Sequence, residues 1–588
     1  MIKLLKNFTK KDWLMIFLSF ILIFSQVWLE LKMPDYMSEI TVLVKTEGSK
    51  MSDILVQGGY MLLCAFGSLV GAAIVGFLIS KLSANFSLNL RKKIFDKVLS
   101  LSTNEVKGFN TSSLITRTTN DVSQIEMFIG MGLQLLIKAP ITAIWAITKI
   151  LNKSVEWSIV TAIAVVILLT VIGIITLLVL PRFKIVQKLT DSLNNVTRES
   201  LNGIRVIRAF NAEKYQESKF SKVNNDLTNL QLFNQRTFAI MSPMMYLVMN
   251  SITLVIYYIG ANLIDAATLA SKIDIFSNMI VFTSYAMQVI MAFLMLALIF
   301  MILPRASVSA KRVNEVLNST SSVQEGEFNG NTDSKGKIVF KNVSFKYPDA
   351  EEYVLKDISF EASPGETVAF IGSTGSGKST LINLIPRFYD ATEGEIIIDD
   401  VNIKDYDFKT LYNKLGYVSQ KAVIFDGTVK SNITFGESNS KKNEKEIVEA
   451  ADIALASEFI NNMDHTYNSH IASGGTNISG GQKQRLSIAR AVARKPEIYI
   501  FDDSFSALDY KTDAVLRSEL KKYTKDATSL IVAQRIGTIM NADKIIVLDN
   551  GESVGVGTHE ELLKSCEVYK QIALSQLSKE ELDNAKTK

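Results

Sequence analysis

Gly372-Ser373-Thr374-Gly375-Ser376-Gly377-Lys378-Ser379-Thr380 is the stretch on which the rest of this chain turns. Two glycines flank four residues and Lys-Ser follows, which is the P-loop pattern. Thr367-Val368-Ala369-Phe370-Ile371 before it reads as a strand, and Leu381-Ile382-Asn383-Leu384-Ile385 after it as a helix. That context separates the motif from a chance glycine-rich turn. The glycines let backbone N–H groups converge on phosphate oxygens, and the helix N-terminus adds partial positive charge. In such a loop Lys378 sits on the terminal phosphates of a nucleotide and the Ser379 hydroxyl on Mg²⁺.

A chain of 588 residues has room for several domains. Its net charge of +4 is too small to argue for a nucleic-acid partner. A mean hydropathy of +0.19 is high for a soluble protein. Nearly all the long apolar runs precede Pro304, so the average conceals two populations. Cys64 and Cys566 give neither a disulfide framework nor metal-ligand spacing, which suits a reducing compartment for the soluble part. His465, His470 and His559 are too scattered for a metal site.

The expected membrane domain covers residues 1–317. Residues 1–12 are basic and amphipathic, with no cleavage site after the following apolar run, and read as an uncleaved helix on the inner membrane surface. Apolar runs at 13–33, 58–80, 128–150, 157–180, 241–263 and 277–303 each approach the ~20 residues that span a bilayer. The connections after the second and fourth runs are far longer than ordinary loops yet keep helical periodicity, as in Leu88, Ile94, Phe95 and Val98. The helices are therefore expected to run on beyond the bilayer and return. Lys81, Arg91, Lys92, Lys93, Lys97, Lys107 and Arg117 in the first long connection place it, and both chain termini, on the cytoplasmic side. Lys138, beside Ala139-Pro140, is the main charge within the spans. It reads either as a functional intramembrane group or as a lysine snorkelling to the interface. Methionine stripes at 241–249 and 287–301 read either as an adaptable cavity lining or as helix packing.

Residues 318–336 are polar and aperiodic and read as a linker. From 337 to 580 short β-type runs alternate with helical ones, which argues an α/β domain with a largely parallel sheet, before a polar tail at 581–588. A second motif, Ser479-Gly480-Gly481-Gln482, opens a helical run, and Ile498-Tyr499-Ile500-Phe501 then ends in Asp502-Asp503. A carboxylate at a strand's C-terminal edge suits Mg²⁺ held opposite the P-loop. With these three motifs in this order, the chain resembles the ATP-binding cassette (ABC) exporters, specifically half-transporters with six membrane helices ahead of one cassette. The fold class implied is an all-α six-helix membrane domain followed by an α/β P-loop domain.

The resemblance implies further roles. Tyr347 is similar to the aromatic that stacks on adenine. Gln420 is similar to the glutamine that reaches Mg²⁺ and the attacking water. Ser506-Ala507-Leu508-Asp509 looks like the loop that crosses a cassette dimer. Ser479 and Gly481 of one cassette are expected to cap the ATP held by the other, so a second half-transporter subunit is implied. Residues 114–121 and 199–213 resemble the two places where membrane helices meet cassettes.

The chain departs from the family at two positions around the catalytic water. Where the family has Glu after the Walker B aspartate, this chain has Asp503. Where the switch histidine is usual, it has Gln534. Ser473 also stands where Glu is frequent. The P-loop, Tyr347, Gln420, Asp502 and signature all remain. This combination resembles the degenerate-site subunit of heterodimeric bacterial multidrug exporters. It implies ATP-driven efflux of small amphipathic compounds from the membrane lipid or cytoplasm. Other readings are a homodimeric lipid or peptide exporter with slow ATP turnover, an ATP-gated membrane protein, and an importer on the exporter architecture.

Overall fold

The computed structural model describes residues 4, 6, 8–46, 48–151, 155–436 and 443–576. The expected polar tail and most of residues 1–7 lie outside the described residues. The chain divides into two compact units, Met1–Leu99 with Thr111–Asn318, and Ser100–Asn110 with Ser319–Lys588.

In the first unit, six helices among the described residues are long and apolar enough to cross a membrane. They are Lys10–Lys45, Met51–Ser100, Thr111–Leu151, Val155–Arg182, Glu213–Ala266 and Ser271–Leu317. At about 1.5 Å per residue, some 20 residues cross a hydrocarbon core of ~30 Å. Met51–Ser100 has 50 residues and so continues well past it. Pro34, Pro140, Pro181 and Pro304 lie inside helices, as membrane helices tolerate when neighbouring groups satisfy the freed carbonyls. Ile23, Val27, Val75, Ala146, Phe282 and Val289 pack inward, while Phe17, Phe66, Leu177 and Leu254 face outward, as a lipid-facing surface requires.

Two expectations change here. The Thr9 hydroxyl caps the first spanning helix, accepting from the Asp12 N–H at 3.3 Å while Asp12 Oδ2 accepts the Thr9 N–H at 2.8 Å. Lys10 and Lys11 therefore belong to that helix's first turn and not to a separate surface helix. In the first long connection, the short helix Thr103–Phe109 groups with the cassette, whereas residues 114–121 stay with the membrane helices. In the second, the chain turns at Gly203 and again at Ala212, enclosing the short helix Ile204–Ala209.

Among the described residues, the second unit holds twelve strands. They are β1 (Ile338–Phe345), β2 (Leu355–Ala362), β3 (Thr367–Gly372), β4 (Glu393–Ile398), β5 (Val401–Asn402) and β6 (Leu415–Val418). There follow β7 (Gly427–Thr428), β8 (His470–Ile471), β9 (Ile498–Asp502), β10 (Thr528–Val532), β11 (Lys544–Asp549) and β12 (Glu552–Gly557). Six form one sheet in the order β12-β11-β3-β10-β9-β6, parallel except for β12. Strand β3 is covered on both faces, with Val368 and Phe370 in one core and Ala369 and Ile371 in another. That double burial is why its sequence is an unbroken apolar run. A separate antiparallel sheet, β2-β1-β4-β5, packs over the P-loop helix and was not foreseen as a distinct sheet. The expected linker lacks helix but is pinned to the cassette, with the Gly326 N–H donating to Tyr406 O at 2.9 Å and Phe328 N–H to Asp405 O at 2.7 Å.

Lys414 ties this unit together, reaching Asp399 Oδ2 at 2.7 Å and Glu497 Oε2 at 2.7 Å. The Asp399 carboxylate is wholly buried, so removing its cation strands a charge. Lys414→Met is expected to destabilise the cassette by about 3–5 kcal/mol. Scanning calorimetry of the solubilised chain should show the cassette transition lowered by about 10 °C; an unmoved transition refutes it.

Candidate functional site

Four sequence-predicted residues meet at the carboxyl edge of the six-stranded sheet. Gly372 closes β3, Gln420 follows β6, Asp502 closes β9 and Gln534 follows β10. This edge, at the carboxyl ends of the strands, is where open α/β sheets bind ligands.

The P-loop crosses it. A Cβ on Gly372 would lie 2.0 Å from Leu548 O, so only glycine lets β3 pass β11 there. Gly377 takes a φ of +95° at the start of the helix Lys378–Leu384, a conformation glycine adopts without strain. Ser373, Thr374 and Gly375 form the exposed rim, and Ser376 lies buried beneath it. Lys378 Nζ donates to Gly372 O at 2.8 Å, Ser373 O at 2.7 Å and Ser376 Oγ at 3.3 Å. Burial lowers the Lys378 pKa against the opposing pull of Asp503 and Asp502. An anion arriving in the loop would relieve that penalty.

The Ser379 hydroxyl donates to Asp502 Oδ1 at 2.8 Å. Burial pushes the Asp502 carboxyl above its ordinary value, against that hydrogen bond. A hydroxyl and a desolvated carboxylate in contact, with the Gln420 amide nearby, form a small oxygen-donor set. It fits Mg²⁺, which takes few protein ligands and completes its shell with phosphate and water.

The two departures touch each other. Gln534 Nε2 donates to Asp503 Oδ2 at 2.8 Å, and Gln420 Nε2 donates to the same oxygen at 3.3 Å. Asp503 adopts a φ of +46° and anchors its N–H on Val532 O at 3.0 Å. Aspartate tolerates this left-handed region better than most side chains. Burial raises the Asp503 pKa too, against the Gln420 bond. Sequence reasoning missed Gln576, whose amide accepts from the Ile536 N–H and donates to Gln534 O, both at 2.8 Å. No local motif marks it.

Tyr347 sits beside the P-loop helix, its hydroxyl 3.0 Å from Thr380 Oγ1. Its ring packs edge-on against Phe345 and Tyr389, at 5.0 and 5.3 Å between centroids. Lys107, from the short helix Thr103–Phe109, donates to the Tyr389 hydroxyl at 2.9 Å.

The signature residues stand apart from this pocket. Ser479 caps the helix Gly480–Arg494, accepting from the Gln482 N–H at 3.3 Å, while Gln482 Oε1 accepts the Ser479 N–H at 2.9 Å. Ser479 and Gly480 are exposed, and Gly481 lies near Ala507 of the Ser506–Asp509 loop. Among the described residues, no hydrogen bond joins residues 479–482 to the P-loop. The exposed helix start therefore presents N–H groups and partial positive charge to whatever faces it.

In the membrane unit, Lys138 pairs with Glu30 at 2.9 Å, a carboxylate that the reading of an apolar first span overlooked.

Comparison with known proteins identifies the family of both parts of the chain. The family described as ABC transporter transmembrane region matches residues 15–316, and that described as ABC transporter matches residues 355–506. An uncharacterized ABC transporter ATP-binding protein of Mycobacterium tuberculosis is 38% identical over 527 residues, covering 88% of this chain and 87% of its own length. A putative multidrug export ATP-binding/permease protein of Bacillus subtilis is 32% identical over 498 residues, covering 82% of each. The solved structure of a bacterial Atm1-family ABC exporter with ATP bound superimposes with a TM-score of 0.79 at 21% identity, covering 96% of this chain and 99% of that one.

Proposed function

This chain belongs to the ABC transporter family, and from that premise we propose that it is the slow-hydrolysing half of a heterodimeric exporter of amphipathic compounds across the cytoplasmic membrane. It is a multi-pass membrane protein with an exporter fold and an ATP-binding cassette. The observation that carries the finer reading is the hydrogen bond from Gln534 to Asp503. The two side chains expected to act on the attacking water instead engage each other.

In this reading the P-loop, Lys378 and Tyr347 hold ATP. Ser379, Asp502 and Gln420 would hold Mg²⁺, which neutralises charge on the β- and γ-phosphates when bound. Asp503 is a methylene shorter than the usual Glu, and the Gln534 amide neither gives nor takes a proton at neutral pH. A misplaced base costs about 10²-fold in rate. The exposed signature, Ser479 to Gln482, caps the ATP in the partner's complete site, where hydrolysis resets the dimer. The basic first long connection supports a cytoplasmic cassette and cytoplasmic termini.

The intact signature also favours a second reading, a homodimer with two slow sites. The purified chain in lipid nanodiscs separates these from an ordinary pump. It should bind Mg-ATP saturably yet turn it over about 10²-fold more slowly than when joined to a half-transporter carrying Glu and His at the two positions. Full-speed turnover by the lone chain overturns the slow-site reading. Vesicle uptake of dye with the cassette outward tests export.

A further inference from the structure

The helix Glu567–Gln576 runs up to the turn that carries Gln534. We infer that Gln576 is a positioning residue for the phosphate pocket, its amide holding this turn so that the Gln534 side chain stays on Asp503. The inference deepens the slow-site reading and rests on it.

The helix is fixed first by its apolar face. Tyr569 and Ala573 are wholly buried, in one core with Ala533 of the turn and with Ile536 and Ile539 of the short helix after it. The Tyr569 hydroxyl lies 2.6 Å from His559 Nδ1. Positions 569, 573 and 576 share one helical face, so the same packing brings the Gln576 amide to the turn. An amide carries an acceptor and donors on one short group. Gln576 Oε1 accepts the Ile536 N–H and Nε2 donates to Gln534 O, both at 2.8 Å. These two peptide groups flank Arg535. Their neighbours are anchored elsewhere. The Ala533 N–H donates to Phe370 O at 3.2 Å, and Arg535 O accepts from the Thr538 N–H at 3.1 Å. Gln576 spans the stretch between those anchors.

Gln534 reaches Asp503 Oδ2, 2.8 Å away, through a long side chain. Ordering such a side chain costs entropy, and a drifting backbone raises the cost. Each neutral hydrogen bond is worth about two- to tenfold in a local equilibrium. Without Gln576 the Gln534 amide therefore leaves the carboxylate more often, and Asp503 is freer to meet water. Buried Ala533 and Ile536 keep the turn in the fold when the amide is gone.

The test uses Gln576→Met, which keeps the length and removes both bonds. In the full chain, nucleotide-free in lipid nanodiscs, hydrogen exchange of residues 533–538 should quicken by about threefold or more. Ser575→Ala, on the same last turn, should leave it unchanged. Mg-ATP turnover at this chain's pocket is then followed in the assembled dimer, with the partner's own pocket silenced. Gln576→Met should raise kcat about threefold and leave KM within about twofold. It should add nothing once Gln534→Ala is present, because both changes act on one contact. A general loosening of the cassette would instead lower kcat, raise KM and act equally with either residue at 534. Unchanged exchange overturns the role outright. So does turnover that stays level or falls while Gln534→Ala alone raises it, or an equal effect of Gln576→Met with Ala at 534. Gln534→Ala alone tests the slow-site reading separately: no rise there fails that reading, while the exchange result still decides the clamp.

Discussion

Asp503→Glu combined with Gln534→His is expected to raise ATP turnover at this chain's own phosphate pocket by about 10²-fold, with neither change alone approaching that. The reason lies in the shared oxygen. Asp503 Oδ2 accepts Gln534 Nε2 at 2.8 Å and Gln420 Nε2 at 3.3 Å. With Glu alone, the Gln534 amide still engages the carboxylate and holds it from the water. With His alone, the carboxylate remains short. Residues in one hydrogen-bond network couple, so a double-mutant cycle should show a large positive interaction. The backbone should not drift, because Gln576 grips Gln534 O and the Ile536 N–H independently of the Gln534 side chain. Glu is less at home than Asp at a φ of +46°, which should lower stability slightly without touching the pocket. Single-turnover hydrolysis of Mg-ATP at this chain's pocket in the assembled dimer, with the partner's own pocket silenced, reads the outcome. If the double variant turns over no faster, these two side chains do not limit the site.

Much of this pocket could be read from sequence because its parts are contiguous. Gly372 to Thr380 carries the turn, the lysine and the hydroxyl within one loop, and a doubly covered strand leaves an unbroken apolar run. The membrane helices were legible for a different reason, since a bilayer imposes length and apolarity together. What stayed hidden depends on pairing across distance. Glu30 looks like an isolated acid at the end of an apolar run until the fold brings Lys138 to it, 108 positions later. The antiparallel sheet is built from β1, β2, β4 and β5, whose half-covered strands give weaker patterns, and β1 shifts register against both neighbours. Thr103–Phe109 and its N-cap Ser102 group with the cassette, Ser102 meeting Ser322 and Lys107 meeting Tyr389, partners that no local spacing announces. The same holds for the Gln534–Asp503 contact. Sequence marks both as departures from a pattern, but only the packed edge of the sheet brings them within a hydrogen bond.

Gly481→Asp is expected to abolish ATP turnover of the assembled dimer, by more than about 10²-fold, while leaving this chain as stable as before or slightly more so. Gly481 is the second residue of a helix whose N-cap is Ser479. A Cβ there would meet Ala507 O and Leu508 Cδ2 at 3.6 Å, which is ordinary contact. Replacing glycine in a helix removes a propensity penalty of up to ~1 kcal/mol, and a carboxylate in the first turn complements the helix dipole. The local fold therefore gains. Function moves the other way if this helix start caps the partner's ATP, because the new carboxylate would then face the γ-phosphate. Like charges juxtaposed across an interface cost several kcal/mol, and each 1.4 kcal/mol is about tenfold. Opposite signs for stability and turnover distinguish this from simple misfolding. Thermal unfolding and ATPase of the complex, measured on one preparation, decide it. Unimpaired turnover with a normal transition would mean that Ser479 to Gln482 faces no nucleotide, and the division of labour between the two subunits would fall with it.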